Sequence, residues 1–491
     1  MSEYSQMVKN AGIIGIAKGL GIIFSIVNTK VLASVLSASG MGIFSIYSNI
    51  QNLLVSISNF GLTQSGVRQI ALYNDDDSCQ NTAKVYKILK GTFIIISILI
   101  SSLTMLFSKK IAVSMLGDEK KYIGVCVISI ALLFHAINSA QHVLLQGKRR
   151  IAALAYSTLL SNILGSMALI GIIMITKSDG IPYLFVIKMA IICFVTSFFC
   201  KKLFLPKVKV TANDVKRELK PLLTIGISFY FSAITYHLIS LLEQYYLRER
   251  LGLKWVGFYF SAWSLANFYI GTILSAMGTD FVPKMMALIN KPKEFNLCIN
   301  YQIELNMFFI PIGLCGIVIF APLIVSVLYS SNFTNSIPII RWLVAGTILR
   351  LIAFPFGYAL TCKGFAIHYL CFQIGFYIIE FCCLVLSIMI GGSSFLGGHY
   401  VIAYFAYLAV SGFTCWRKFG FYPSKKMICI TIASIACLLI SYGILLLQNT
   451  ALTYYFGTGY MVVLLATGFY FSKRLFAIDI WALMKRLIKV Q

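Results

Sequence analysis

The chain has 491 residues, 59% of them hydrophobic and only 12% charged, with a mean hydropathy of +0.85. Ordinary globular chains carry about twice that share of charge, so composition excludes a water-soluble domain. The formal net charge of +25 would suggest nucleic acid in a soluble protein. Here the basic residues sort by side of a membrane, and nucleic-acid binding is not expected.

In chain order, apolar runs fall near 11–35, 43–66, 88–107, 123–145, 152–176, 183–200, 222–247, 256–282, 304–329, 338–361, 367–391, 398–416, 427–447 and 454–472. Each is close to the ~20 residues that cross the hydrocarbon core as a helix. The runs are continuous rather than alternating, which predicts helices and not a barrel. The expected fold is therefore an all-α polytopic membrane protein with about fourteen transmembrane helices. The opening "MSEYSQMVKN" lacks a strongly basic stretch, and the apolar run after it is too long for a signal-peptide core. No cleaved signal is expected. With the N-terminus placed in the cytoplasm, 28 of the 41 Lys and Arg fall in inner segments, 9 in outer loops and 4 within spans. That imbalance satisfies the positive-inside rule with both termini cytoplasmic.

The longest inner connection, 201–221, follows six spans. It divides the chain into a first lobe (1–200), a linker (201–221), a second lobe (222–417) and an appended pair of spans with a tail (418–491). A repeat crosses this divide at a shift of 215 residues. Leu36, Gly42, Phe44 and Asn52 are matched by Leu251, Gly257, Tyr259 and Asn267. A related echo pairs "LLQGKRRIAALAY" (144–156) with "LTCKGFAIHYL" (360–370), aligned at a shift of 216. An even number of spans per repeat predicts two pseudo-symmetric six-helix lobes related by an axis along the membrane normal. A substrate site is then expected between them near the midplane.

Catalytic signatures are missing. There is no GxxxxGK[ST] and no HExxH, and the five histidines lack metal-ligand spacing. The thirteen cysteines include no CxxC and fall mostly in spans, where they act as small hydrophobes. The Asp75-Asp76-Asp77 triplet reads as a solvated loop tip or, less simply, as a divalent-cation loop. Neither an enzyme nor a resident metal or cofactor is expected.

What remains is charge inside the spans, which costs roughly 2.5–3.5 kcal/mol per residue at a helix centre. Lys188, Arg350, Glu380, His135 and His237 sit deepest, whereas Arg68, Asp280, Glu243, Glu304 and Arg341 lie near span ends. Lys18 and Lys30 are about 18 Å apart along one helix. Either they snorkel to opposite interfaces or they mark two levels of a cavity wall. Arg350 and Glu380 lie at similar depth on consecutive spans, as a structural pair or as working charges. His135 and His237 either pack with one hydrogen bond or shuttle protons.

The stretch "VLASVLSASGMGIFSIYSNIQNLLVSISNFGLTQSGVRQIA" (31–71) resembles the opening of bacterial polysaccharide flippases of the Wzx type. These form the polysaccharide exporter family of the multidrug/oligosaccharidyl-lipid/polysaccharide (MOP) superfamily. The family's Gly-x-Tyr/Phe turn and later "GL…R" appear as Gly42-Ile43-Phe44 and as Gly61-Leu62 with Arg68. In "EQYYLRERLGLKWVGFYFSAWSL" (243–265), Glu243 stands where the family more often has Asp. Members commonly have twelve spans, and the extra pair is similar to the fourteen-span lipid II flippase arrangement.

The resemblance implies translocation of an undecaprenyl-diphosphate-linked oligosaccharide, an O-antigen or related repeat unit, across the bacterial inner membrane. The route would be alternating access through a cationic cleft between lobes. Lys18, Lys30, Arg68, Lys188 and Arg350 are the expected lining, with Glu243 and Glu380 coupling to H+ or Na+. Membrane lipids and other polysaccharide-assembly membrane proteins are the expected partners. A multidrug or cation antiporter of the same superfamily is the alternative, but five basic against two acidic candidates favour an anionic substrate. A glycan polymerase would be expected to carry a large outer loop, and every outer loop here is short.

Overall fold

The computed structural model describes residues 3–73, 79–201, 203, 205–447 and 449–476, with some side chains left out, including those of Lys18 and Asp280. The Asp75–Asp77 triplet lies outside the described residues. Within them the helices run in the order α1 (Glu3–Asn59), α2 (Leu62–Leu72), α3 (Gln80–Leu106), α4 (Ser108–Leu116), α5 (Tyr122–Gly147), α6 (Ile151–Thr176), α7 (Ile181–Cys200) and α8 (Ala212–Leu251). They continue with α9 (Leu253–Trp263), α10 (Tyr269–Ala287), α11 (Pro292–Leu328), α12 (Ser336–Cys362), α13 (Ala366–Gly391), α14 (Gly398–Phe419), α15 (Lys425–Leu445) and α16 (Thr450–Phe476). A π-helical turn, Ser264–Phe268, joins α9 to α10. No strand occurs among the described residues, as hydrocarbon requires of an open chain.

Nine stretches among the described residues are long and apolar enough to span a membrane. One of them, Ile151–Cys200 with 50 residues, is long enough to hold two crossings at 1.5 Å per residue. The fourteen crossings read from the sequence remain an expectation, because these lengths do not fix a count. α1 is itself two helices: Ser37 breaks it with φ 60° and ψ 179°.

That break is half of a pair. A similar backbone excursion recurs 215 residues later at Gly252, with φ 91° and ψ 165°. Lys177 (φ 51°, ψ −130°) is likewise matched by Gly392 (φ 57°, ψ −136°). Arg149 (φ 52°) is matched by Gly364 (φ 84°). The turn after α5 and the turn after α12 share their hydrogen bonds as well. Arg150 N donates to Leu145 O at 2.8 Å, and Phe365 N donates to Leu360 O at 2.9 Å. The second sequence echo therefore aligns at 215, not at the 216 expected. One register serves the whole repeat.

Compact packing divides the chain into two units, Met1–Phe260 with Leu328–Asn332 and Ser261–Val327 with Phe333–Gln491. In the first, α2, α3 and α5 enclose a core that includes Leu62, Ile70, Leu89, Phe93 and Val143. α8 begins with a capping box in which Thr211 and Asp214 satisfy each other's backbone N–H groups. Bonds from Thr211, its backbone N–H first, hold the Asp214 carboxyl below the usual range. The start of α9 meets the second part of α1 backbone to backbone. A Cβ added to Gly257 would overlap the Ala38 carbonyl oxygen, and one added to Gly42 would overlap the Leu253 carbonyl oxygen. Residues 38 and 253 are themselves 215 apart, so the contact is self-complementary.

In the second unit, α12 packs on α14 and α14 on α13. α11 clamps the segment entering α15 with a ladder of side chains one turn apart. Asn296 and Asn300 both donate to Tyr422 O, Asn300 Oδ1 accepts from Ser424 N at 2.7 Å, and Glu304 accepts from Ser424 Oγ at 3.0 Å. Glu304 also pairs with Lys426 at 3.2 Å.

The glycine contact yields a direct test. Gly257→Ala and Gly42→Ala are each expected to destabilise the purified protein by about 1–3 kcal/mol, the usual cost of overpacking. Gly171→Ala, where a Cβ meets nothing within 4 Å, is the matched control; thermal unfolding in detergent reads all three. Equal melting temperatures would contradict the close approach.

Candidate functional site

Two polar clusters occur at mid-helix depth, one in each unit. In the first unit, α6 carries "STLLSNILGS" (157–166), which sets small and polar residues one turn apart along the helix. Ser166 Oγ accepts a 2.9 Å hydrogen bond from Asn28 Nδ2 on α1. Asn162 Nδ2 lies 3.3 Å from the position a Cβ would take on Gly21. On the neighbouring side, Gly165 leaves room for Lys188 of α7, whose Cγ is 3.6 Å from the equivalent Cβ position.

Lys188 is exposed by surface area, yet protein atoms crowd its surroundings from nearly every direction. Those two facts together describe a group on the wall of a recess rather than one locked in packing. The side-chain oxygens of Asn28 and Ser161 are buried and have no partner among the described residues. Buried polar atoms in hydrocarbon ordinarily find one. The belt of Asn28, Ser161, Asn162, Ser166 and Lys188 thus offers a cation together with amide and hydroxyl groups. An anionic, hydroxyl-rich headgroup needs those functions in place of water.

Lys30, two residues beyond Asn28 on α1, is half-buried. The Lys18 side chain lies outside the described residues. Arg68 is exposed on α2, which packs mainly on α5 and α8. Glu243 is buried on α8, and its Oε1 has no hydrogen-bond partner among the described residues. Two short polar bonds bracket it, Asn49 Nδ2 to Ser240 Oγ at 2.9 Å and Gln244 Nε2 to Ser45 Oγ at 2.6 Å. His135 contacts Ser139 Oγ at 3.3 Å, and Ser139 donates to Asn59 at 3.3 Å.

The second cluster is closed. Arg350 on α12 donates from Nη1 to Asn267 Oδ1 at 2.6 Å and reaches the Tyr400 hydroxyl at 3.5 Å. Tyr400 donates to the same Asn267 oxygen at 2.9 Å. Asn267 lies in the π-helical turn, a local widening common at functional positions. Trp263 and Tyr404 stack edge-on against Tyr400, with ring centroids 5.2 and 4.7 Å away. The structure therefore joins Arg350, Asn267 and Tyr400 in one hydrogen-bonded network, with Glu380 buried on the adjacent α13.

Sequence reasoning found the charges and missed their neutral partners. Asn28, Asn162, Asn267 and Tyr400 carry no charge to flag them. A helical wheel of 157–166 would have exposed the polar stripe, since an apolar span has little other use for serine and asparagine on one face.

The different surroundings of Lys188 and Arg350 predict opposite outcomes. Lys188→Gln is expected to leave the melting temperature within a degree or two of wild type, since the side chain stands on a recess wall. Arg350→Gln removes the charged donor from Asn267 Oδ1 and leaves it only the Tyr400 hydroxyl, and is expected to cost about 1–3 kcal/mol. A detergent melting series on the two variants distinguishes them; similar losses would contradict the assignment.

The model of a family described as polysaccharide biosynthesis protein matches residues 7–288. No curated protein sequence matches the chain. Among solved structures, the lipid II flippase MurJ in an inward closed conformation superposes with a TM-score of 0.73 at 14% identity, covering 94% of this chain and 99% of that one. An inward-facing multidrug resistance MATE family transporter of the MOP superfamily gives a TM-score of 0.67 at 13% identity, covering 80% and 94%. A MOP superfamily transporter from Pyrococcus furiosus, described as having a binding pocket of reversed polarity, gives 0.58 at 15% identity, covering 84% and 96%. At these identities the likeness is one of fold.

Proposed function

Because this chain belongs to the polysaccharide biosynthesis protein family, we propose that it is a flippase that carries an undecaprenyl-diphosphate-linked oligosaccharide across the bacterial inner membrane. The family and the shared MOP fold favour a transporter over an enzyme. The observation that carries the reading is the mid-membrane belt around Lys188. The accessible Lys188 amine beside amides and hydroxyls suits a diphosphate joined to sugar, while the polyprenyl tail remains in lipid throughout. Each sugar hydroxyl would lose roughly 2–7 kcal/mol in bare hydrocarbon, so a polar recess opening alternately to either side is the economical route.

In this reading Lys188 contacts the diphosphate, with Lys18, Lys30 and Arg68 lining the approach. Arg350, the fifth basic candidate, stays tied to Asn267 and Tyr400 within the second unit. Glu243 and Glu380 are the carboxylates suited to coupling H+ or Na+ movement to the cycle, Glu243 because its buried oxygen awaits a proton or cation. The duplicated lobes (1–200 and 222–417), the 201–221 linker and the 418–491 appendix form the working division of the chain. Both termini face the cytoplasm. The O-antigen class of substrate is favoured over a cationic drug by the sign of the accessible charge.

The experiment is flipping of a fluorescent undecaprenyl-diphosphate saccharide in reconstituted vesicles. Lys188→Gln is expected to lower the initial rate at least tenfold at equal protein, with Lys188→Arg retaining most of it. Wild-type flipping by the Gln variant would end this reading. Glu243→Gln is expected to abolish the response of that rate to an imposed proton or sodium gradient while leaving slow, ungated exchange. An unchanged gradient response would remove Glu243 from the coupling step.

A further inference from the structure

α11, α15 and α16 enclose an apolar groove of about 430 Å3 in the second unit. Its length is informative. It runs along α15 from Lys426 to Cys437 and along α16 from Leu475 to Leu464, roughly 16 Å of helix in each case. That is about half of the ~30 Å hydrocarbon core, the depth of one leaflet. The walls, including Phe308, Ile430, Ala433 and Phe471, are mainly apolar, with the small hydroxyl residues Ser434 and Thr467 among them. Such a slot fits one acyl chain and not a tail that must pass through both leaflets.

The two ends of the groove differ. At one end Lys426 donates to Leu475 O at 2.9 Å, which draws the start of α15 against the end of α16. This brings exposed Lys425 together with exposed Lys473 and Arg474. Lys426 itself is engaged by Glu304 at 3.2 Å and by the Phe476 ring at 4.4 Å. Exposed Lys425, Lys473 and Arg474 lie at this mouth of the groove, at the level where a lipid headgroup sits. Basic clusters at such a level attract anionic lipid.

We propose that this groove binds an anionic phospholipid, with one acyl chain between α11, α15 and α16 and its phosphate at Lys425, Lys473 and Arg474. The site is separate from the Lys188 belt and does not depend on what that belt carries. Such a lipid would add apolar contact between the appended helix pair and α11.

Native mass spectrometry of the full chain in detergent, titrated with phosphatidylglycerol or phosphatidylcholine of identical acyl chains, tests the assignment. Wild type is expected to retain phosphatidylglycerol at least tenfold more tightly. K425Q/K473Q/R474Q is expected to bring the two lipids within twofold of each other without weakening phosphatidylcholine. Ala433→Phe, which fills the slot, is expected to lose both at least tenfold; Thr467→Phe repeats the test on α16 should the first variant fail to fold. Equal binding of the two lipids by wild type would overturn the proposal, as would an unaltered preference in the triple variant. Wild-type binding by either folded Phe variant would overturn it too. Displacement of phosphatidylglycerol by equimolar undecaprenyl phosphate would assign the groove to the transported lipid class instead.

Discussion

Lipid gives helices no hydrophobic reason to associate, so close backbone packing has to supply the attraction that water supplies elsewhere. In this chain one such approach is between Gly42 and Gly257, each set against the other segment's carbonyl oxygen. The second part of α1 and the start of α9 are fixed by that contact. From α1 the constraint passes to Asn49 and Ser45, whose bonds to α8 bracket Glu243. Any side chain at either glycine would push these helices apart and carry the polar groups on them out of register.

Much of this was written openly in the sequence. Continuous apolar runs announce a helical membrane protein, because no other open architecture satisfies its backbone in lipid. The duplication was visible in four matched residues, and the backbone fixes its register throughout. Lys188, Arg350, Glu243 and Glu380 could be named because charge in hydrocarbon is conspicuous. Their situations could not. Depth along a helix is arithmetic, but the direction a side chain faces depends on neighbours 20 to 140 positions away. Nothing near Lys188 in sequence reveals that Gly165 makes space for it, or that Asn267 waits for Arg350.

The repeat also shows how two copies of one plan have diverged. At the shift of 215, Gly165 corresponds to Glu380 and Lys188 to Ala403, so a cation on one helix of the first half is answered by a carboxylate on the preceding helix of the second. His135 corresponds to Arg350, and Asn28 to Glu243. The first half keeps neutral polar groups around the Lys188 amine. The second ties its guanidinium into aromatic hydroxyls. Duplication preserved the turns and left the midspan chemistry free to specialise.

Those turns hold an asymmetry of their own. At the three matched left-handed positions the second half has glycine every time, at 252, 364 and 392, whereas the first half holds Ser37, Arg149 and Lys177. A side chain there costs of order 1–3 kcal/mol, and glycine escapes it. The first half is thus a sprung copy and the second a relaxed one. Elastic energy is concentrated at the hinges between consecutive helices, in the same half that carries the accessible lysine.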